Sequence, residues 1–521
     1  MALELLQKDV KVSRVVLRKK SSTVIENDII VPDSKPDISK ILIVDAEIYK
    51  GETECTRDKT EINGRLRYKI LYVSDDESGS IKSMESDSPF TVEVETPGSN
   101  ADMYCAAECT IEYLEYEVSN SRKLAIKAIM DTNCKVREEK EFFIAEEIEG
   151  AEDIQQLRKK YFINSFVGKG EESFVVSDSP EIPAGKPSIV EILRNDVKLS
   201  GLDFKLADNK IEVQGEINVS TLYTSDDEDR KIESVENEIP FTHIFEVEGI
   251  EDDCEFEVNC EITDARVLAQ EDMDDELRIL DLSIELTAEA MGFRQTEVEA
   301  ISDAYSPAKN IRLKKENVVM EEFSRREKSG FFMKEIINTD DATNIGQIFS
   351  VTAKPVISEY TAFENKLTIE GLAECNILYA SDSETQPIRN YKQELPFKQS
   401  LAVEGLQAGQ ECEVTLAVQH LNYSMASSQE VDLRLSLDAS VKIYAETEIP
   451  VIVEAEESEE VETRSEGSAS VLIYFVKAGD SLWSIAKKYR TTIEAIERVN
   501  ELSSGEKLNL GQQIIIPKRS A

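Results

Sequence analysis

Gly64, then Ile70-Leu71-Tyr72-Val73-Ser74-Asp75-Asp76, then Pro89-Phe90, is a pattern the chain writes three times. It returns as Gly215, Thr221-Leu222-Tyr223, Ser225-Asp226-Asp227 and Pro240-Phe241, and again as Gly371, Ile377-Leu378-Tyr379, Ser381-Asp382-Ser383 and Pro396-Phe397. Every landmark moves by 151 residues from the first copy to the second and by 156 from the second to the third. The same offsets carry Ile38 to Ile189 and Ile345, and Ile41 to Ile192 and Ile348, so the register holds without a gap. Self-similarity at a fixed offset is the mark of a repeated structural unit. Copies one and two also share a lead-in, with Pro32 and Pro36 matching Pro183 and Pro187, while the third copy has lost both prolines.

Working outward, the segments of each copy alternate. Leu433, Leu435, Leu437, Ala439, Val441 and Ile443 face one way and Asp432, Arg434, Ser436, Asp438, Ser440 and Lys442 the other, the period of a half-buried strand. The Ser-Asp tripeptides fall between strand patterns, where Asp and Ser favour hairpin turns. A Ca²⁺ loop would need alternating ligands, a central glycine and a closing glutamate, and that spacing is absent here. The expected fold class is mainly β: three tandem antiparallel β-sandwich or barrel-like modules. Between them the pattern is weaker. Residues 1–27 alternate in part and suit an extra strand on a sheet edge, whereas Glu146–Lys160 and Glu316–Lys328 read as short charged helices.

Composition sets the class of partner. The 521 residues hold 104 Asp and Glu against 59 Lys and Arg, a formal net charge of −45. From Val471 onward eight basic residues outnumber five acidic ones, so the first 470 carry about −48. A surface that negative repels nucleic acid and anionic membrane. Met1-Ala2-Leu3-Glu4 lacks a secretory start, and no transmembrane run of eighteen apolar residues occurs. The expectation is a cytosolic protein whose eight cysteines are reduced and act as small apolar groups. Cys105 and Cys109 are the only pair with a metal-ligand flavour, and no second pair or histidine stands at zinc spacing. Neither metal nor cofactor is expected.

The tail changes character. Ile473–Val476 reads as a strand stopped at Gly479, and Leu482, Ile485, Ala486 and Tyr489 recur at helical spacing behind Asp480 as a cap. Thr491-Thr492-Ile493-Glu494 has capping-box spacing for a second helix whose inner face is Ile493, Ile496 and Val499. Gln513–Pro517 reads as a closing strand that pairs with the first. Upstream, Glu454–Glu466 holds seven glutamates and runs into Gly467-Ser468-Ala469-Ser470, the composition of an extended tether that lets a basic tail search independently.

This strand-helix-helix-strand order, with Gly479-Asp480, Leu482-Trp483, Ile485-Ala486, Tyr489, Thr491-Thr492, Asn500, Leu502, Gly511 and Ile516-Pro517, resembles the LysM family of small β-α-α-β modules. Ala478 stands where that family usually has proline, and Arg490 where it usually has glycine. The resemblance implies a shallow groove for N-acetylglucosamine chains of peptidoglycan or chitin. Carried over, its walls are Gly479, Asp480, Ser481 and Leu482 on one side and Asn500, Glu501, Leu502 and Leu508 on the other. Backbone groups would hold acetamido groups and apolar side chains the sugar faces. Trp483, the only tryptophan, reads equally as a partly buried helix residue or a binding residue. The expected layout is an N-terminal arm at 1–31, modules at 32–140, 183–292 and 339–450 with connecting arms at 141–182 and 293–338, an acidic linker at 451–471 and a LysM domain at 472–518.

Three acidic β-modules ahead of a terminal LysM resemble the SipL-like spore-coat morphogenetic proteins, and more loosely SpoVID, of endospore-forming Firmicutes. What this implies is a scaffold made in the mother-cell cytoplasm that binds the coat-basement protein SpoIVA and tethers other spore coat proteins at the forespore surface. The alternative is an anchor that holds peptidoglycan or N-acetylglucosamine oligomers in the groove. An enzyme is not expected: the chain has no nucleophile elbow, phosphate loop or dinucleotide fingerprint, and its two histidines, His243 and His420, read as structural.

Overall fold

The structure, a computed structural model, describes residues 3–76, 79–150, 153–227, 231–339, 344–383, 387–458, 471–503 and 506–517. Each repeat contributes six strands. The first has β1 (Glu4–Ile30), β2 (Ile38–Thr56), β3 (Lys59–Ser74), β4 (Ile81–Glu95), β5 (Tyr104–Asn120) and β6 (Lys123–Glu149). The second runs β7 (Gln155–Asp178), β8 (Ile189–Ala207), β9 (Lys210–Ser225), β10 (Ile232–Glu246), β11 (Glu255–Glu271) and β12 (Leu277–Tyr305). The third runs β13 (Asn310–Asn338), β14 (Ile345–Phe363), β15 (Lys366–Ser381), β16 (Ile388–Ala402), β17 (Cys412–Met425) and β18 (Glu430–Ser458). The tail adds β19 (Val471–Phe475), helices α1 (Leu482–Tyr489) and α2 (Ile493–Asn500), and β20 (Gln513–Pro517).

In every repeat a three-stranded antiparallel meander packs face to face on a second antiparallel sheet, so the modules are β-sandwiches as the alternation predicts. The alternating segment of the third copy lies in β18, and its six inward residues from Leu433 to Ile443 are all buried. The acidic tripeptides occupy the hairpins, where Ser74 and Ser225 hydroxyls donate to Asp76 and Asp227 at 2.9 Å and close the turn. The shared tyrosine has an assignable task in two copies. Its hydroxyl donates to the carbonyl of the second lead-in proline, Tyr72 to Pro36 at 3.0 Å and Tyr223 to Pro187 at 3.1 Å, pinning the entry strand.

The segments expected as helices are strands. Glu146–Lys160 is divided between the end of β6 and the start of β7, and Glu316–Lys328 lies wholly within β13. Their glutamates and lysines favour helix locally, but continuous cross-strand pairing overrides that preference: Glu4 to Ile30 pairs with Glu149 to Lys123, and Asn310 to Asn338 with Ser458 to Glu430. The connecting arms are thus strands of the sandwiches themselves, and β1 supplies the extra strand that residues 1–27 suggested, set between β6 and β7 rather than at a sheet edge. At 27 residues, β1 spans roughly 90 Å at about 3.3 Å per residue.

The three modules meet as one body. Leu42, Leu193 and Phe349, equivalent by the repeat offsets, pack in one cluster with Leu71, Leu222 and Leu378, also equivalent. Equivalent residues from three copies converge only about an approximate threefold axis, so the chain builds internally what a trimer builds from subunits. Ion pairs lock adjacent modules: Lys82 and Lys35 to Glu191 at 2.9 and 3.0 Å, and Arg194 to Asp45 at 2.8 Å. Beyond the modules the paired long strands continue as three arms, β1–β6, β7–β12 and β13–β18. Val10, Val12, Tyr161, Ile163, Ile449 and Val451 form an apolar seam between them, and Ile148, Ile301 and Ile452 close the far end.

Candidate functional site

The tail folds as the spacing predicts, strand, helix, helix, strand, with β19 and β20 antiparallel and Ile485, Ala486, Ile496, Ile514 and Ile516 as its core. Its caps differ by one residue from expectation. Ser481, not Asp480, caps α1 through a reciprocal box in which the Ser484 amide donates to Ser481 Oγ at 3.1 Å and the Ser481 amide to Ser484 Oγ at 2.9 Å. Asp480 instead accepts from the Lys477 amide at 2.8 Å and the Tyr474 hydroxyl at 2.7 Å, which fixes the turn after β19 and holds its carboxyl below the usual carboxylate range. Thr492 rather than Thr491 caps α2, accepting from the Ala495 amide at 3.1 Å. Val499, expected inside, is exposed. Arg490, where the family has glycine, takes the left-handed conformation at φ 52° and ends α1 with its amide on the carbonyls of Ala486 and Lys487.

The two proposed groove walls sit at the two loops that follow β19 and α2. Gly479, at φ 87°, Ser481 and Glu501 are exposed, while Leu482, Leu502 and Leu508 are half-buried over the module core. Asn500 is not a free wall residue. Its side-chain amide donates to the carbonyls of Ile496 at 2.8 Å and Ile515 at 2.7 Å, and its oxygen accepts from the Ile515 amide at 2.7 Å, clamping α2 to β20. Asn500, Asp480 and Ser481 are engaged in these internal bonds, and the amides of Asp480, Glu501 and Leu502 bond the carbonyls of Lys477 and Glu497, so the walls present chiefly Ser481, Glu501 and three half-buried leucines.

Trp483 lies apart from these walls, turned toward the arms. Its indole N–H donates to Asp303 at 2.9 Å, and its ring meets Tyr305 edge-on with centroids 4.9 Å apart. The module therefore rests on the end of β12, where the composition of 451–471 suggested a tether with an independent head. Residues 451–458 of that stretch belong to β18, and the rest of it up to Ser470 lies outside the described residues.

Other candidates from the sequence resolve structurally. Cys105 and Cys109 lie four residues apart on the extended β5, roughly 13 Å at about 3.3 Å per residue, too far to share a metal ion. His243 stacks on Phe174 at 3.9 Å and bonds Glu172 at 3.0 Å. Where the arms meet the modules, a chamber of about 1970 Å³ is lined from all three repeats. No local pattern marks it, because its walls are residues hundreds of positions apart. At its side Glu257 accepts from Arg137 at 3.1 Å and pairs with Lys442 at 3.0 Å, one partner from each neighbouring module. Burial acts to raise the Glu257 pKa, but Lys442, Arg137 and Lys135 outweigh it and hold the carboxylate ionised far below its usual range.

Comparison with known proteins matches three stretches, 37–119, 188–268 and 344–426, to the SipL SPOCS domain, and 474–517 to the LysM domain. Among curated proteins, a cortical fragment-lytic enzyme of Bacillus subtilis (strain 168) is 49% identical over 45 residues, which is 9% of this chain and 10% of that protein. The chain thus spans about a tenth of that relative's length. No solved structure matches. Among the described residues no helix is long and apolar enough to cross a membrane.

Proposed function

We propose, from the premise that this chain is a SipL-like protein of three SPOCS domains and a C-terminal LysM domain, that it is a non-enzymatic scaffold of spore coat assembly. Both domain types are non-catalytic binding or adaptor modules, and their combination supports a sporulation coat-related role. The finer reading is that the LysM domain docks on a coat-basement protein, SpoIVA, and that the acidic modules recruit further spore coat proteins, with the chain made in the mother-cell cytoplasm and drawn to the forespore surface.

The observation that carries this reading is the separation of parts. Three modules are fused into one body at one end of the arms, and the single recognition module sits at the other, the geometry of a spacer between two attachment points. A binding assay between the full chain and purified SpoIVA tests it. Retention of SpoIVA by the full chain and its loss on deletion of 472–521 is the expected result, and equal retention by both chains overturns it.

A second reading is favoured by the LysM match at 474–517 and by the exposure of Gly479, Ser481 and Glu501 beside three half-buried leucines, polar groups next to apolar support of the kind an acetamido sugar needs. Here the module anchors the chain to peptidoglycan or N-acetylglucosamine oligomers. Pull-down on purified cortex peptidoglycan decides it, since unchanged retention after replacement of Leu482, Glu501 and Leu502 removes this reading.

A further inference from the structure

We infer that the end of arm 2 is a receptor surface for the chain's own LysM module, with Asp303 as its central group and Trp483 as a docking residue rather than a ligand-binding one. This holds whichever ligand the groove takes.

Asp303 is half-buried on β12 and gathers donors from both sides of the junction. Trp483 Nε1 lies at 2.9 Å and Lys487 Nζ at 2.6 and 2.7 Å, both from the LysM module, while Lys315 Nζ of β13 holds it from behind at 3.0 Å. Two positive charges and one indole N–H on one carboxylate leave it fully engaged in this position. Burial opposes ionisation of Asp303, yet the hydrogen bonds from Lys487, Trp483 and Lys315 prevail and keep its pKa lowered.

Two further contacts flank this carboxylate. The Tyr305 hydroxyl, at the last residue of β12, donates to the Thr491 carbonyl at 2.7 Å, and its ring is counted in the LysM core cluster. Arg490 bonds Asn310, the first residue of β13. The left-handed Arg490 thus has a use that a glycine would not serve.

The surface is specific to one arm. Near the ends of the other two arms, Glu147–Glu149 of β6 and Glu454–Glu457 of β18 carry carboxylates but no aromatic ring to meet the Trp483 edge. Linkage strengthens the contact. Only 12 residues separate Ser458 from Val471, so the effective concentration of module at receptor is on the order of millimolar and a weak intrinsic contact suffices to hold it. Gly479, Ser481 and Glu501 of the groove walls stay exposed, so docking sets the direction in which they are presented.

Trp483 is the only tryptophan, which makes its fluorescence a direct reporter in the full-length protein. Two variants are compared with the natural chain, Asp303→Ala on the arm and Lys487→Ala on the exposed module surface, the second posing little threat to folding. In both, the emission should move to the red and the acrylamide quenching constant rise at least about twofold, as for an indole that has lost its hydrogen-bond partner or the charge that seats it. The maximum dimension from small-angle scattering should also increase for Asp303→Ala. Quenching that is the same in both variants as in the natural chain overturns the proposal, as does an unchanged maximum dimension for Asp303→Ala. Neither measurement depends on SpoIVA or glycan binding, so failure here is distinct from failure of the proposed function.

Discussion

Gly64 lies directly across the β3–β4 ladder from Phe90, and the pairing recurs as Gly215 with Phe241 and Gly371 with Phe397. The repeated glycine and the Pro-Phe pair, 26 residues apart in sequence, are thus two halves of one contact: the ring lies over the bare backbone of the glycine. A Cβ on Gly64 would stand 2.7 Å from the Phe90 ring and 2.7 Å from the Tyr49 carbonyl, and one on Gly371 only 2.2 Å from the Val356 carbonyl. On Gly215 its closest neighbour is the tip of Leu202 at 2.9 Å, a side chain that can turn away.

Alanine at these sites should therefore rank unequally. Gly371→Ala and Gly64→Ala force backbone to move and should each cost on the order of 1–3 kcal/mol, while Gly215→Ala should cost less. Thermal unfolding of the full chain checks the order, and a Gly215 variant as unstable as the other two contradicts it.

Glu257 joins the three modules through partners in both neighbours. Its replacement by alanine leaves Arg137 buried without its anion and should lower stability by about 3–5 kcal/mol, the usual cost of removing one partner of a buried pair. Urea unfolding measures it. Glu108→Ala, on the exposed side of β5, is the matched control and should leave the midpoint in place.

Asp196 gives the first module interface a pH dependence. Burial acts to raise its pKa, but Arg194 and Lys69 prevail and bring it to about 2. A depressed folded pKa means the contribution is whole above the unfolded value and is lost as pH falls through the folded one. Stability should thus decline between about pH 4 and pH 2 by roughly 2–3 kcal/mol from this group. Asp196→Asn should flatten that part of the acid limb relative to the natural chain, and identical limbs count against the assignment.

Asn500 clamps the LysM helices to the closing strand with three hydrogen bonds. Asn500→Ala leaves the Ile515 amide and two carbonyls without that partner and should destabilise the module by about 1–3 kcal/mol. Trp483 emission should report its earlier melting, with the far-ultraviolet strand signal of the body unchanged at that temperature.

Alternation and constant offsets made the β-modules readable from sequence, because strand faces are local and the repeats are in register. The arms read as helices because Glu146–Lys160 and Glu316–Lys328 are rich in helix-favouring charged residues, and what makes them strands is a partner up to 150 positions away. The LysM order and core were legible for the same local reasons. Its caps slipped by one residue because Asp480 is drawn back to Tyr474 and Lys477, leaving Ser481 for the helix. The seat of Trp483 on Asp303, 180 residues upstream, left no local trace. Neither did the approximate threefold axis, which depends on how finished surfaces fit.

The antiparallel arms also decide how the molecule bears load. The covalent path to the LysM module leaves through the last residue of β18, a strand of 29 residues paired along its length with β13 and along part of it with β17. A pull applied through the module runs parallel to that strand and across its ladder bonds, so it strains many of them at once instead of peeling them singly. A protein anchored at both poles would thus resist stretching as a strut does, and the weak point under tension would be the seat at Asp303 before any strand of the body.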